Sequence, residues 1–271
     1  IIDNFSSMRR ETSFESQSGM CINTVLDMVI ALSILSPQMN FLLPTACIGC
    51  KSYQTSRICD KCFNRLIQSQ IHRCFQCGLA THNMTSYYCA QCEYDPPYFD
   101  ETVCLDSYEG LLTDAVHQYK YSGEIAIAHG LIETWFKIFN NGIFHHRKKQ
   151  EVMLLPVPLS STKLHERGFN QSWELAKLFG KKIGLTPHAN IITRAHLDTN
   201  QAKLGKVERI MRLKNIFSIA PKDIGLVKNK CIVIVDDVMT TGATLNSMSK
   251  LLKNHGASEI INWVILRTPL K

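Results

Sequence analysis

Apolar positions along this chain fall into two rhythms. Cys231 to Val235 is apolar without alternation, and Val152 to Val157 behaves alike, with Pro156 and Pro158 forcing an extended exit. Such runs predict central strands of a parallel sheet, covered on both faces. Tyr98 to Tyr108 predicts a further strand, entering after the Pro96-Pro97 break. Elsewhere the spacing is helical. Leu111 to Tyr121 predicts one helix, Gly123 a break, and about Glu124 to Phe139 a longer helix. Asn170 is an N-cap for a helix to about Ile183, stopped by Gly184, and Ala243 to about His255 predicts a last helix, stopped by Gly256. These elements predict an α/β fold, a parallel sheet flanked by helices.

The first forty residues follow another pattern. Ile1-Ile2 leads into a polar, Ser-rich stretch to Gly19, and Met20 reads as an initiator inside the chain. The apolar run Cys21 to Leu35 is shorter than the roughly 20 residues a bilayer needs, with Asp27 near its middle. Ile22, Val25, Leu26, Val29 and Ile30 keep i, i+3, i+4 spacing, which predicts an amphipathic helix packed on the module that follows, with no stable membrane insertion.

Composition adds a size limit and a sign. With 271 residues, 45% of them hydrophobic, there is material for one ordinary core domain and a small module. A formal charge of +7 admits nucleic acid or an anionic substrate as partner and demands neither. The basic run His145-His146-Arg147-Lys148-Lys149 has no aromatic residue for base stacking and reads as a solvated loop; a second basic stretch lies between Lys203 and Lys214.

Cysteine spacing changes the picture more. Eight of the eleven cysteines form four C-x-x-C pairs: Cys47/Cys50, Cys59/Cys62, Cys74/Cys77 and Cys89/Cys92. Two such pairs close a tetrahedral Zn²⁺ site. The simplest arrangement is sequential, with Cys47, Cys50, Cys59 and Cys62 on one ion and Cys74, Cys77, Cys89 and Cys92 on a second; an interleaved arrangement has compatible spacing. Disulfides or a redox motif are the competing reading, against which stand the density of pairs and the lack of any mark of secretion. Zinc here is expected to be structural, because so short a segment has too little apolar surface to fold alone. Cys21, Cys104 and Cys231 stand apart and read as small buried apolar residues.

The densest chemistry follows the Cys231 strand. Asp236 and Asp237 are expected at its C-terminal end, where carboxylates accept hydrogen bonds from vicinal ribose hydroxyls or order Mg²⁺ through water. Thr240, Thr241, Gly242 and Thr244 come next, at a helix start whose free N–H groups suit a phosphate. The loop Leu159 to Phe169 carries Lys163, His165, Glu166 and Arg167 beyond another strand end, placed to meet a diphosphate or simply solvated. Lys120, between Tyr119 and Tyr121, suits either a ligand or a solvated helix face. Ile191 to Phe217, with Arg194, Arg209 and a polar stretch from Asp198 to Gly205, reads as a mobile lid or as an ordinary connector.

Val233-Ile234-Val235, then Asp236, Asp237, Val238, Met239, Thr240, Thr241, Gly242, Ala243 and Thr244, resembles the phosphoribosyl-diphosphate (PRPP) binding loop of type I phosphoribosyltransferases. In order along the chain, a wider set resembles the ComF/GntX-type proteins, linked with competence for DNA uptake in bacteria. That set is Leu42-Leu43-Pro44 before the cysteines, Tyr119-Lys120-Tyr121-Ser122-Gly123, Pro156-Val157-Pro158, Glu166-Arg167-Gly168-Phe169-Asn170-Gln171, then Thr199, Gln201, Leu204, Arg209, Asn215 and Phe217. Asn200 departs from it, standing where the family often has Pro, and the N-terminal extension has no counterpart.

The resemblance implies a double zinc ribbon over 41–97 and a type I phosphoribosyltransferase-like domain over 98–271, and it leaves residues 1–40 as an extension expected to be disordered before its amphipathic helix. It implies a cytoplasmic protein in which Asp236 and Asp237 hold the ribose hydroxyls and help place Mg²⁺. The segment Val238 to Thr244 grips the 5′-phosphate, and Lys163 and Arg167 lie near the diphosphate. Phosphoribosyl transfer to an unidentified acceptor is one implied function. A non-catalytic PRPP-fold component of DNA uptake, its ribbons touching single-stranded DNA or the uptake machinery, is the other.

Overall fold

A computed structural model describes residues 45–70, 72–81, 86–139, 149–195 and 216–269, which fall in one compact unit. The expected N-terminal amphipathic helix, most of the basic run at 145–149 and the polar stretch between Asp198 and Arg209 lie outside these residues.

The chain opens with a two-stranded antiparallel pair, β1 (Thr45–Ala46) and β2 (Tyr53–Gln54), followed by α1 (Asp60–Gln68) and the short α2 (Ala90–Tyr94). Then come β3 (Glu101–Ser107), α3 (Thr113–Ser122), α4 (Ile125–Phe139), β4 (Val152–Pro156), α5 (Ser161–Arg167) and α6 (Gln171–Ile183). The last third holds the antiparallel pair β5 (Ile192–Arg194) and β6 (Phe217–Ile219), α7 (Ile224–Val227), β7 (Cys231–Met239), α8 (Ala243–Asn254) and β8 (Glu259–Arg267). β3, β8, β7 and β4 lie in that order in a four-stranded, wholly parallel sheet.

The expected α/β sheet is therefore present, and its middle is the region of unbroken apolar sequence. Val233, Val235, Ile261, Trp263 and Ile265 face one side, and Ile232, Ile234, Ile260 and Val264 the other, the period of two that a strand imposes. On the first face Trp135 of α4, Phe179 of α6 and Trp263 of β8 pack ring to ring, with centroids 4.8 to 5.8 Å apart. Rings buried this fully are each worth about 2 to 3 kcal/mol in area alone. On the second face Leu245, Met248 and Leu252 of α8 cover the sheet.

The cysteine block wraps the β3 edge and joins both cores. Cys47, Ile48, Cys62 and Leu66 are buried in the first-face core, whereas Cys74, Cys77, Leu79 and Cys92 belong to the second. Ile48 comes so close to α4 that a Cβ added at Gly130 would lie 2.8 Å from its Cγ2, so glycine there is a packing requirement. The edge itself is occupied: Thr102 N–H of β3 donates to the Phe75 carbonyl at 3.0 Å, and Gln70 Nε2 donates to the Leu105 carbonyl at 2.8 Å.

Three details differ from the pattern reading. Residues 159–169 are not a loop: Ser160 accepts from Lys163 N–H at 3.4 Å and caps α5, which ends at Gly168 with φ 75°. β7 runs on through the acids to Met239, because β8 continues beside it as far as Arg267. β8, paired on both sides and buried from Ile260 to Arg267, is a strand that the expected elements do not include. Cys104 and Cys231 are buried, as expected of small apolar side chains. Among the described residues no helix is long and apolar enough to cross a membrane.

Candidate functional site

β4 stops at Pro156, opposite Val235, so β7 projects past its neighbour from Asp236 onward. Both acids therefore stand where ligands approach a parallel sheet. Asp237 is buried, and its Oδ1 lies 3.2 Å from the ammonium of Lys120 at the end of α3. Asp236 Oδ1 accepts from Ser172 Oγ at 2.8 Å and from Asp237 N–H at 2.9 Å. Burial, then the charge of Asp237, pushes the Asp236 carboxyl up to about 7, against the pull of Ser172 and Lys120. A dication arriving here would favour loss of the Asp236 proton.

The two sequence stretches around Lys120 and Arg167 meet in space. Tyr119 donates from its hydroxyl to the Gln171 carbonyl at 2.9 Å and stacks edge-on against Phe169. Gln171 accepts from Arg167 Nη1 at 3.0 Å through Oε1, and Arg167 also lies over the ring of Tyr121. Asn170 caps α6, accepting from Ser172 and Trp173 N–H, while its Nδ2 donates to the Val157 carbonyl at 3.1 Å. Of the predicted residues, Lys120, Asp236 and Asp237 are in contact and Arg167 joins them through Gln171. Lys163 is exposed on α5 and outside this network.

The Thr240 to Thr244 turn opens α8. Gly242 takes φ 81°, a left-handed conformation that favours glycine, and Met239 Cε lies 2.6 Å from where a Cβ would be. Thr240, Thr241 and Ala243 are exposed, Val238 and Thr244 half-buried and Met239 buried. The α8 N-terminus has no side-chain cap, apart from Thr241 Oγ1 accepting from Ala243 N–H at 3.3 Å within the turn. Uncapped N–H groups at the start of a twelve-residue helix suit an anion.

Two side chains outside the expected set complete the surroundings. Ser172 could have been suspected from its place in the first turn of the Asn170-capped helix. Arg267 ends β8 after a long apolar run and is almost wholly buried. Its Nε donates to the Cys77 carbonyl at 2.8 Å, and its Nη1 is turned into the carbonyls of Met239, Thr240 and Thr268. Beside it a cavity of about 360 Å³ separates Cys77 and Phe99 from Met239 and Thr241.

The cysteines gather sequentially, the simpler of the two arrangements. Within Cys47, Cys50, Cys59 and Cys62, and within Cys74, Cys77, Cys89 and Cys92, all sulfurs lie within 4.8 Å of one another. Cys50 Sγ is 3.7 Å from Cys59 Sγ and Cys77 Sγ 3.6 Å from Cys89 Sγ, near the edge of about 3.8 Å in a tetrahedral zinc thiolate. Backbone N–H groups of Cys59, Cys62 and Cys89 donate to sulfurs of their own quartets, as thiolates require. The hydrogen bond between Cys74 and Cys77 draws the Cys74 thiol down and pushes the Cys77 thiol up. Both donor sets fit structural zinc.

Residues 190–270 match the phosphoribosyl transferase domain family, and residues 38–104 match the double zinc ribbon domain family. Competence protein F of Haemophilus influenzae is 28% identical over 82% of this chain and 96% of its own length. DNA utilization protein YhgH of Salmonella typhimurium is 32% identical over 78% of this chain and 90% of its own length. Competence protein ComFC of Bacillus subtilis is 24% identical over 78% and 85% respectively.

Proposed function

Because the chain belongs to the family of competence protein F and DNA utilization protein YhgH, which joins a double zinc ribbon to a phosphoribosyl transferase domain, we propose that it binds PRPP with Mg²⁺ and transfers the phosphoribosyl group. The observation that carries this reading is the run of two acids on a projecting strand directly into an uncapped helix N-terminus, with Lys120 against the acids. In this reading Asp236 and Asp237 accept from the 2′ and 3′ hydroxyls. The amides and hydroxyls of Thr240 to Thr244 hold the 5′-phosphate, and Lys163 and Arg167 face the diphosphate. Mg²⁺, held by the acid pair, would supply charge neutralisation to the diphosphate.

An incoming nucleophile forms its bond to ribose C1 as the bond from C1 to the diphosphate oxygen breaks, and the electron pair leaves with diphosphate. The residues act through position and charge. Tetrathiolate zinc needs a reducing compartment, which supports a cytoplasmic site of action. The names of the relatives support a role in competence or DNA use.

A second reading, binding without turnover and contact of the ribbons with single-stranded DNA, draws on exposed rings at Tyr53, Tyr87 and Tyr94, each more than four-fifths accessible. Titration calorimetry with PRPP and Mg²⁺ tests the site. Measurable binding is expected for wild type and none for Asp236→Asn combined with Asp237→Asn; absent wild-type binding would remove the sugar phosphate site altogether. Diphosphate release on adding candidate acceptors then separates transferase from binder.

A further inference from the structure

We propose that Arg267 is a positioning residue that makes the phosphate turn depend on the second cysteine quartet. The inference rests on the sugar phosphate reading of that turn.

The Arg267 side chain is 3% exposed, and no carboxylate forms an ion pair with it among the described residues. A guanidinium in such a place needs acceptors and a counter-charge. Besides the adjacent Thr268, its acceptors are main-chain carbonyls at two distant points of the sequence. Cys77 lies on one side, and Met239 and Thr240, the entrance to the turn at Gly242, lie on the other. With Zn²⁺ bound, the four thiolates of the Cys77 quartet would carry two net negative charges and would supply that counter-charge. Arg73 meets the same knuckle, donating to the Gly78 carbonyl at 3.0 Å.

The guanidinium therefore holds the carbonyls of Met239 and Thr240 turned inward, away from an incoming phosphate. The peptide N–H groups that follow are left free to face it. With the quartet disrupted, the anchor at Cys77 and the balancing charge go together. The cation beside the first quartet leads elsewhere: Arg57 donates to the Ala126 carbonyl of α4 at 3.0 Å.

The test compares wild type, Arg267→Lys, Cys89→Ser and Arg57→Ala. Its measurements are zinc content by mass spectrometry, PRPP and inorganic diphosphate affinities with Mg²⁺ by calorimetry, and hydrogen exchange of the amides of 240–244. Lysine keeps the charge but cannot span both sides. Arg267→Lys is expected to keep both zinc ions, to weaken PRPP about ten-fold or more with diphosphate within about two-fold, and to speed exchange in the turn. Cys89→Ser is expected to lose one zinc and reproduce that signature, and Arg57→Ala to leave the turn as in wild type.

Unchanged turn exchange and an unchanged PRPP to diphosphate ratio in Arg267→Lys would overturn the proposal. So would the same change appearing in Arg57→Ala, since the effect would then be general loosening. If Arg267→Lys does not fold, Cys89→Ser against Arg57→Ala decides. If wild type binds no PRPP, the sugar phosphate reading falls, and turn exchange in the same variants still decides the link through Arg267.

Discussion

Two cysteine quartets with the same C-x-x-C spacing sit on opposite faces of one sheet, in different company. Around the first, Lys51 donates to Gln118 of α3 at 3.0 Å, Arg57 pairs with Glu133 of α4, and Ile48 presses on Gly130. These contacts fasten helices. Around the second, the contacts lead through Arg267 to Met239 and Thr240, where a ligand would be held. Equal spacing thus describes the metal chemistry and says nothing about what each metal is wired to. The acid pair lies between the two arrangements, gripped from the first face by Lys120 and Ser172.

Removing the first quartet by Cys47→Ser with Cys62→Ser should have the largest effect. A cost on the order of 5 kcal/mol in unfolding is expected, because both side chains are buried in the main core as well as ligating. A chemical denaturation series checks it, and a loss under about 1 kcal/mol would erase the fastening role. Gly130→Val should come next, at about 2 to 3 kcal/mol in the same assay, since even its Cβ would lie 2.8 Å from Ile48 Cγ2.

The acid pair offers a third test, through pH. Asp236 holds its proton more tightly in the folded chain, at about 7, than an unfolded aspartate near 4. Its contribution to stability is therefore complete below about pH 4 and lost as pH rises through about 7. Asp236→Asn should lack this slope and be more stable than wild type at pH 8, by on the order of 2 kcal/mol, with no gain at pH 4. Equal thermal stability differences at both pH values would contradict the burial argument. The smallest effect should be Ser172→Ala, which removes one hydrogen bond to the carboxylate form. The pH midpoint of Mg²⁺-dependent PRPP binding should rise by about half a unit, and a fall would mean that Ser172 does not act on Asp236.

How much was legible in the sequence follows from how local each feature is. Asp236 to Thr244 could be read because the acids, the glycine with φ 81° and the helix start are consecutive. The Gly123, Gly184 and Gly256 stops are equally local, all three in the left-handed region. Residues 159–169 look like a loop in sequence because no side chain of Ser161–Arg167 is buried, and only the Ser160 cap marks the helix. Sequential cysteine closure had to wait for coordinates, since spacing permits interleaving as well. Arg267 was silent for a deeper reason: its partners are carbonyl oxygens, which every residue carries and no motif can mark.

The Thr102 and Phe75 hydrogen bond has a consequence for solubility. β3 ends the sheet on one side, and an uncovered strand of this kind would offer its N–H and C=O groups to any neighbouring chain. The cysteine block occupies Thr102 N–H through Phe75 and the Leu105 carbonyl through Gln70, so the ribbons serve as a lid on the sheet's sticky side. Stripped of metal, the protein would then be lost first to intermolecular strand pairing, in a manner that worsens with concentration.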